Sequence, residues 1–273
     1  MPSTYAHYRF GLDVRKALPC REQKTIDAYP RLYMIGLHGP DILFYYHPLS
    51  SNSVNTTGFA LHEKPGKSFF ENARNAISES KNPDAALSYA YGVLCHFALD
   101  VSCHAYIDEK IAVSGISHAE IESEFDRSLM LLDGIEPTTH IQTAHIIPSK
   151  ENAEIISPFY PGISPTQIYK ALRSMIFQNK MLLAKSDAKR RLIYAILRLT
   201  GNYEEIHGMI ISPHGNPLCE DSNAKLTELY RLAEDRAKSF ITSFDGYLSG
   251  KQALEPIFDY TFGGVLPASG VKI

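Results

Sequence analysis

The chain contains no tryptophan and four cysteines, Cys20, Cys95, Cys103 and Cys219, with no CxxC pair among them. That usage excludes a disulfide framework and a cysteine-type zinc ribbon, and reduced thiols in a cytoplasmic protein are the simplest expectation. Neither sign of charge dominates. A net charge of −3 offers no basic field to a long nucleic acid, and no dense Lys/Arg run suggests a polybasic arm. The opening residues MPSTYAHYRFG lack the basic start and apolar stretch of a secretory signal. No unbroken run of about 18 apolar residues follows, so no ordinary membrane span is expected. Alternating strand patterns, internal repeats and low-complexity tracts are missing as well. What remains is a chain of 273 residues, 44% hydrophobic, with enough apolar material for a large core.

Helical signals fill that length. Ser3 or Thr4 can cap a first helix that runs to about Leu18, ahead of Pro19. Gly39 and Pro40 set a turn before a short aromatic helix, ILFYY, at whose start Asp41 stands as a natural N-cap. The stretch 50–57, SSNSVNTT, has no hydrophobic period and reads as a polar loop, a lid or rim. His62 then opens a segment that continues as an amphipathic helix with Phe69, Ala73 and Ile77 on one side. Asn82 and Pro83 begin a helix that is apolar all round, hence central and buried. Ser117 and Glu120 have the spacing of a capping box, and Ser164 with Gln167 repeats it before QIYKALRSMIFQNKMLLA. Two more helical stretches follow, AKRRLIYAILRLTG and TELYRLAEDRAKSFITSFDGYL. The expected fold class is all-α, a multi-helix bundle forming a single domain over 1–273.

The stretch 84–127 concentrates the chemistry. His96, Asp100 and His104 stand at i, i+4 and i+8, and His118 and Glu122 repeat the step in the next helix. Four residues turn a helix about 40° past a full turn, so each set lines one face. A carboxylate and two imidazoles on a buried helix need hydrogen-bond partners or a metal, because unpaired burial costs several kcal/mol. Isolated histidines are more often satisfied core residues, which is the expectation for His38, His47, His140 and His145. His207, His214, Glu220 and Asp221 read as polar contacts between helices.

These residues carry a family resemblance. HFALDVSCHAY followed by SHAEIE resembles the core of the zinc-dependent phospholipase C and P1 nuclease superfamily. The similarity extends upstream to AHYRFG at His7, GPD at Asp41 and FALHEKPG at His62, and covers about the first half of the chain. It implies a cluster of two or three Zn²⁺ ions. His62, His96 and Asp100 would hold one ion, His104, His118 and Glu122 a second, and His7 a third bridged by Asp100. Asp41 would be a zinc neighbour or the general base that orients an attacking water.

The implied activity is phosphoester hydrolysis of the phospholipase C type, by a metal-activated water, on a small phosphoester or phospholipid. Three zinc ions bring six positive charges and Asp41, Asp100 and Glu122 return three, which leaves a surplus for an anionic substrate. Two features depart from the family pattern. The third zinc site of the secreted enzymes is completed by an N-terminal Trp. Here removal of Met1 would expose Pro2, so a prolyl nitrogen, a backbone carbonyl or water are the alternatives. The spacing from Asp100 to His104 is also shorter than in the secreted phospholipases. A P1-like nuclease or nucleotide phosphatase is the neighbouring enzymatic alternative, and would need exposed aromatics to stack bases. A non-catalytic, metal-stabilised helical binding protein is the alternative of another class, distinguished by closed coordination.

Overall fold

The computed structural model of the chain describes residues 4–267 and 269–273. The expectations for Pro2 and for a cap at Ser3 therefore lie outside the described residues. The described chain is a helical bundle: α1 (Thr4–Ala17), α2 (Cys20–Ala28), α3 (Pro30–Gly36), α4 (Ser53–His62), α5 (Gly66–Ser78), α6 (Pro83–Ser114), α7 (His118–Leu132) and α8 (Lys150–Ile156). The order continues with α9 (Pro165–Leu182), α10 (Asp187–Leu199), α11 (Tyr203–Ile206) and α12 (Glu220–Leu248). Near the C-terminus two antiparallel two-residue strands, β1 (Val265–Leu266) and β2 (Val271–Lys272), form a small hairpin.

α6 is the axis. The Asn82 side chain accepts from Ala85 N–H, Pro83 occupies the first turn, and Gly115, at φ 70°, closes the C-terminal end. By length and composition alone this helix is long and apolar enough to cross a bilayer, its few polar residues being dispersed among apolar ones. Yet 94% of its most apolar window is buried inside the protein, as in the core helix of a bundle. It packs chiefly against α12 and α3. The α3 crossing is backbone to backbone: a Cβ on Gly92 would lie 2.3 Å from the Tyr33 carbonyl oxygen, and one on Gly36 2.3 Å from that of Tyr89. One buried cluster runs from Tyr5 through Phe97 to Phe258 and Phe262, so residues from both ends of the chain share a core.

Two local expectations are corrected. The stretch 50–57 is not a loop beyond Ser53, because Asn52 accepts from the N–H groups of Val54 and Asn55 while Asn55 Oδ1 accepts from Asn52 N–H. This reciprocal cap nucleates α4 without a hydrophobic period. Consequently His62 ends α4 instead of opening α5. The Ser164–Gln167 box forms in full at α9, whereas at α7 the Ser117 cap forms and Glu120 Oε1 accepts from Asn216.

Candidate metal centre

α6 presents His96, Asp100 and His104 along one line, and the neighbouring elements are brought to it one by one. The close α3 crossing carries the chain to Leu37, whose carbonyl accepts from His96 Nδ1 at 3.2 Å. With its proton on Nδ1, His96 turns the lone pair of Nε2 into the site. Gly39 follows at φ 42°, and a Cβ there would sit 2.5 Å from His96 Cδ2. The 3₁₀ turn Gly39–Tyr45 therefore passes directly over the imidazole and delivers Asp41. Asp41 is no simple cap: its Oδ1 lies 2.8 Å from His62 Nε2 and its Oδ2 3.6 Å from His96 Nε2. His62 Nδ1 donates to the Gly58 carbonyl one turn earlier, at 2.8 Å, which fixes the same tautomer as in His96.

From the other side α1 contributes His7, stacked on His96 with centroids 4.5 Å apart and its Nε2 3.1 Å from Asp100 Oδ1. On α7, Glu122 Oε1 lies 3.0 Å from His118 Nε2 and 3.6 Å from His104 Nε2. His104 Nδ1 donates to the Phe262 carbonyl at 3.2 Å and lies 3.9 Å from Asp100 Oδ2. All eight expected residues thus fall into three groups: His7, His96 and Asp100; Asp41, His62 and His96; His104, His118 and Glu122. Within each group the donor atoms lie within 4.8 Å of one another. His96 belongs to two groups, and its single open nitrogen can serve only one ion.

The donor set fits a metal. Asp41 Oδ2, His96 Nε2, Asp100 Oδ2 and Glu122 Oε2 are buried and have no hydrogen-bond partner, although His96 Nε2 stands 3.6 Å from Asp41 Oδ2 and 3.2 Å from Asp100 Oδ2. Atoms that converge at such distances without hydrogen-bond alignment are arranged around a shared centre. The electrostatics agree. Burial raises the carboxyl of Asp100, but the imidazoles of His96, His104 and His7 outweigh it and hold it well below the usual range. Burial likewise raises Glu122, and His118 and His104 bring it below its ordinary value. Burial lowers His104, but Asp100 and Glu122 push it up to about 10. Without metal, the proton held on His104 offsets the carboxylates beside it; a divalent ion would replace that proton.

Residues 6–162 match the family model for zinc dependent phospholipase C. The chain belongs to that family. No curated protein and no solved structure matches it. All eight residues lie inside the span shared with the zinc dependent phospholipase C family, which ends before α9 begins. Family membership makes the chain a zinc-dependent, phospholipase C-like hydrolase in general terms.

Several participants escaped the sequence reading. The carbonyls of Leu37, Gly58 and Phe262 orient ring nitrogens, and no side-chain pattern announces a carbonyl. Asp126 was detectable, since it extends the His118–Glu122 step by another four residues. Its carboxylate accepts from Tyr5 N–H at 3.0 Å and Ala6 N–H at 2.7 Å, and so anchors the start of α1 beside His7. Of the histidines expected in the core, His38 is fully buried with Nε2 2.7 Å from His145 Nε2, and His140 packs edge-on against Tyr5. His47 is exposed at φ 46° and so is not the core residue expected. His207 stacks on Tyr203, His214 is exposed, and Asp221 pairs with Lys110 to tie α12 to α6. A cleft opens beside Glu122, lined by Tyr45, Thr138 and Gln142 and, from α9, Gln178, Asn179 and Leu182. The C-terminal half of this family member thus borders the centre instead of merely extending the bundle.

Proposed function

We propose that the chain is a zinc-dependent phosphoester hydrolase of the phospholipase C type whose metal ligands are His7, Asp41, His62, His96, Asp100, His104, His118 and Glu122. The observation that carries the reading is the set of buried, unpartnered nitrogen and carboxylate atoms converging in three groups. In this reading His62, His96 and Asp41 form one site, with Asp100 between it and His7, and His104, His118 and Glu122 form another. When bound, Zn²⁺ supplies Lewis acidity towards water and phosphoryl oxygen. The protein's share is orientation and charge. The carbonyls of Leu37, Gly58 and Phe262 hold three imidazoles by their Nδ1 protons, so each offers Nε2. Asp41 Oδ2, buried and unpartnered, is the oxygen positioned to accept a proton from an incoming water. The imidazoles around Asp100 and Glu122 outweigh the effect of burial and keep these two carboxylates ionised and acceptor-only.

Phospholipid is the favoured substrate class, on family grounds. One observation supports the nuclease or nucleotidase reading as the second: Phe59 is 58% exposed and stacks on Phe44, whose ring is 5.1 Å from that of His62. Such a platform accepts a nucleobase. The test is metal stoichiometry on untagged protein, followed by hydrolysis assays on a monomeric short-chain phosphatidylcholine and on single-stranded DNA and nucleoside monophosphates. Two or three zinc ions per chain with chelator-sensitive hydrolysis of at least one of these phosphoesters is the expected result. Protein that takes up no zinc, or that binds it without hydrolysing any of these esters, refutes the enzymatic reading.

A further inference from the structure

α10 has more apolar surface than the protein covers. With 100° between residues, its apolar positions span over half the helix circumference. Ile193 and Leu197 face inward and pack with Ala184 and Ile210 in a small cluster separate from the main core. On the outer side Leu192, Ile196 and Leu199 are 60%, 50% and 88% exposed, at steps of four and three residues. Ala188 and Ala195, also exposed, extend the same stripe. An outer helix face in a protein of this size is ordinarily polar.

The charge around the stripe is equally one-sided. Residues 180–199 contain Lys180, Lys185, Lys189, Arg190, Arg191 and Arg198 against Asp187 alone, in a chain whose net charge is −3. By the helical step, Arg191 and Arg198 flank one edge of the stripe and Lys189 the other. Lys180, Lys185 and Arg191 are exposed. Lys189 and Arg190 are tied to backbone carbonyls, and Arg198 lies over Tyr203 at 4.2 Å, so the helix is held in place from its inner side. The next acidic residues, Glu204 and Glu205, begin only in α11.

We infer that α10 is an interfacial helix that docks this protein on an anionic lipid bilayer surface. An exposed apolar stripe edged by Lys and Arg is the combination that inserts shallowly among acyl chains while its cations meet acidic headgroups. Charge complementarity decides the occupant. A second copy would bring the same basic edge against this one, which opposes an isologous contact. The signal is a helix face and not a run, which is why the sequence shows no polybasic arm. Docking itself does not depend on the proposed function, but it bears on it. Leu182, Leu183 and Ala184, which lead into α10, line the cleft beside Glu122, as does Ile211. A docked α10 therefore sets the cleft mouth at the lipid surface.

The experiment is co-sedimentation of the zinc-loaded protein with vesicles of phosphatidylcholine containing about 30% phosphatidylserine, and with pure phosphatidylcholine vesicles. The wild type is expected to bind the anionic vesicles at least about tenfold more tightly, with that advantage falling as salt rises from about 0.05 to about 0.5 M. Leu192→Glu/Ile196→Glu is expected to weaken binding by about tenfold or more, and Arg191→Glu to abolish the preference for phosphatidylserine. Both variants should keep wild-type zinc content, circular dichroism and hydrolysis of soluble ester. Wild-type protein that stays in the supernatant, or an undiminished Leu192→Glu/Ile196→Glu variant, overturns the inference. So does a wild-type dimer that this variant converts to monomer with vesicle binding unchanged. Hydrolysis of soluble ester without vesicles tests the proposed function separately, so the two fail independently.

Discussion

Replacing Gly39 by Ala tests the construction of the centre at a residue that ligates nothing. Gly39 sits at φ 42°, where an L side chain costs about 1–2 kcal/mol of backbone energy. The added Cβ would also stand 2.5 Å from His96 Cδ2 and 3.0 Å from Nε2, against a carbon–carbon contact distance of about 3.5–4.0 Å. The ring must retreat by on the order of 1 Å. It has little room: His96 is fully buried, with His7 stacked at 4.5 Å and Phe262 at 5.7 Å. Metal–ligand distances tolerate only about 0.2 Å. The expected result is a folded variant, destabilised by about 1–3 kcal/mol, whose zinc affinity falls about 10–100-fold or more. Elemental analysis of the purified variant, and thermal unfolding with and without chelator, read this directly. Chelation should lower the wild-type Tm by more than it lowers the Gly39→Ala Tm. Gly115→Ala is the control, because Gly115 has φ 70° but nothing within 4 Å of its would-be Cβ. It should incur the backbone cost alone and keep full metal content. Wild-type zinc and chelator response in Gly39→Ala would refute the placement of His96 under this turn.

Other consequences are open to measurement. Asp100→Asn removes the carboxylate that faces His7, His96 and His104, and should eliminate at least one bound zinc together with hydrolysis. Elemental analysis showing full metal content in that variant contradicts the cluster, while His140→Gln should leave metal content unchanged. Because His104 is pushed up to about 10 in the metal-free chain, it is protonated at pH 7 and must release that proton to become a ligand. Calorimetric zinc titrations in buffers of different ionisation enthalpy should therefore show at least about one proton released per chain, and heats independent of buffer would exclude it. His145, brought down to about 3 mainly by burial and secondarily by His140, acts with the opposite sign. Its folded form refuses a proton that the unfolded chain accepts, so stability present above about pH 6.5 is lost as pH falls towards about 3. Denaturant titrations of His145→Gln should show a shallower loss between pH 6.5 and 4, by up to about 3 kcal/mol, with His38 accounting for part of the remainder. Equal slopes in the two proteins would rule out this assignment.

What could be read in advance is what depends on neighbours in the chain. A four-residue step puts His96, Asp100 and His104 on one face whatever surrounds the helix, and the caps at Asn82, Ser117 and Ser164 act within three residues of themselves. The apolar circumference of α6 likewise announced its burial before any partner was known. The family resemblance then joined His7, Asp41 and His62 to the set, which periodicity alone does not do. Misreadings occurred where a short polar motif overrode periodicity, as when Asn52 and Asn55 made a helix of an apparent loop.

The tertiary structure decided the orientation of the imidazoles of His96 and His104. Which of their ring nitrogens faces the centre depends on a carbonyl arriving from elsewhere, and for His104 that carbonyl belongs to Phe262, 158 residues away. Pairing of Asp41 with His62 likewise needs α4 and the Gly39–Tyr45 turn to be packed together. The same holds for the cleft wall from α9 and for the outer face of α10, whose apolar residues could have been core in any other packing. Helical spacing is fixed by covalent geometry and local hydrogen bonds, so the sequence alone determined which residue types would line up. Which atoms of those residues converge, and which apolar faces stay uncovered, is set by the packing of distant segments, and only the folded chain contains it.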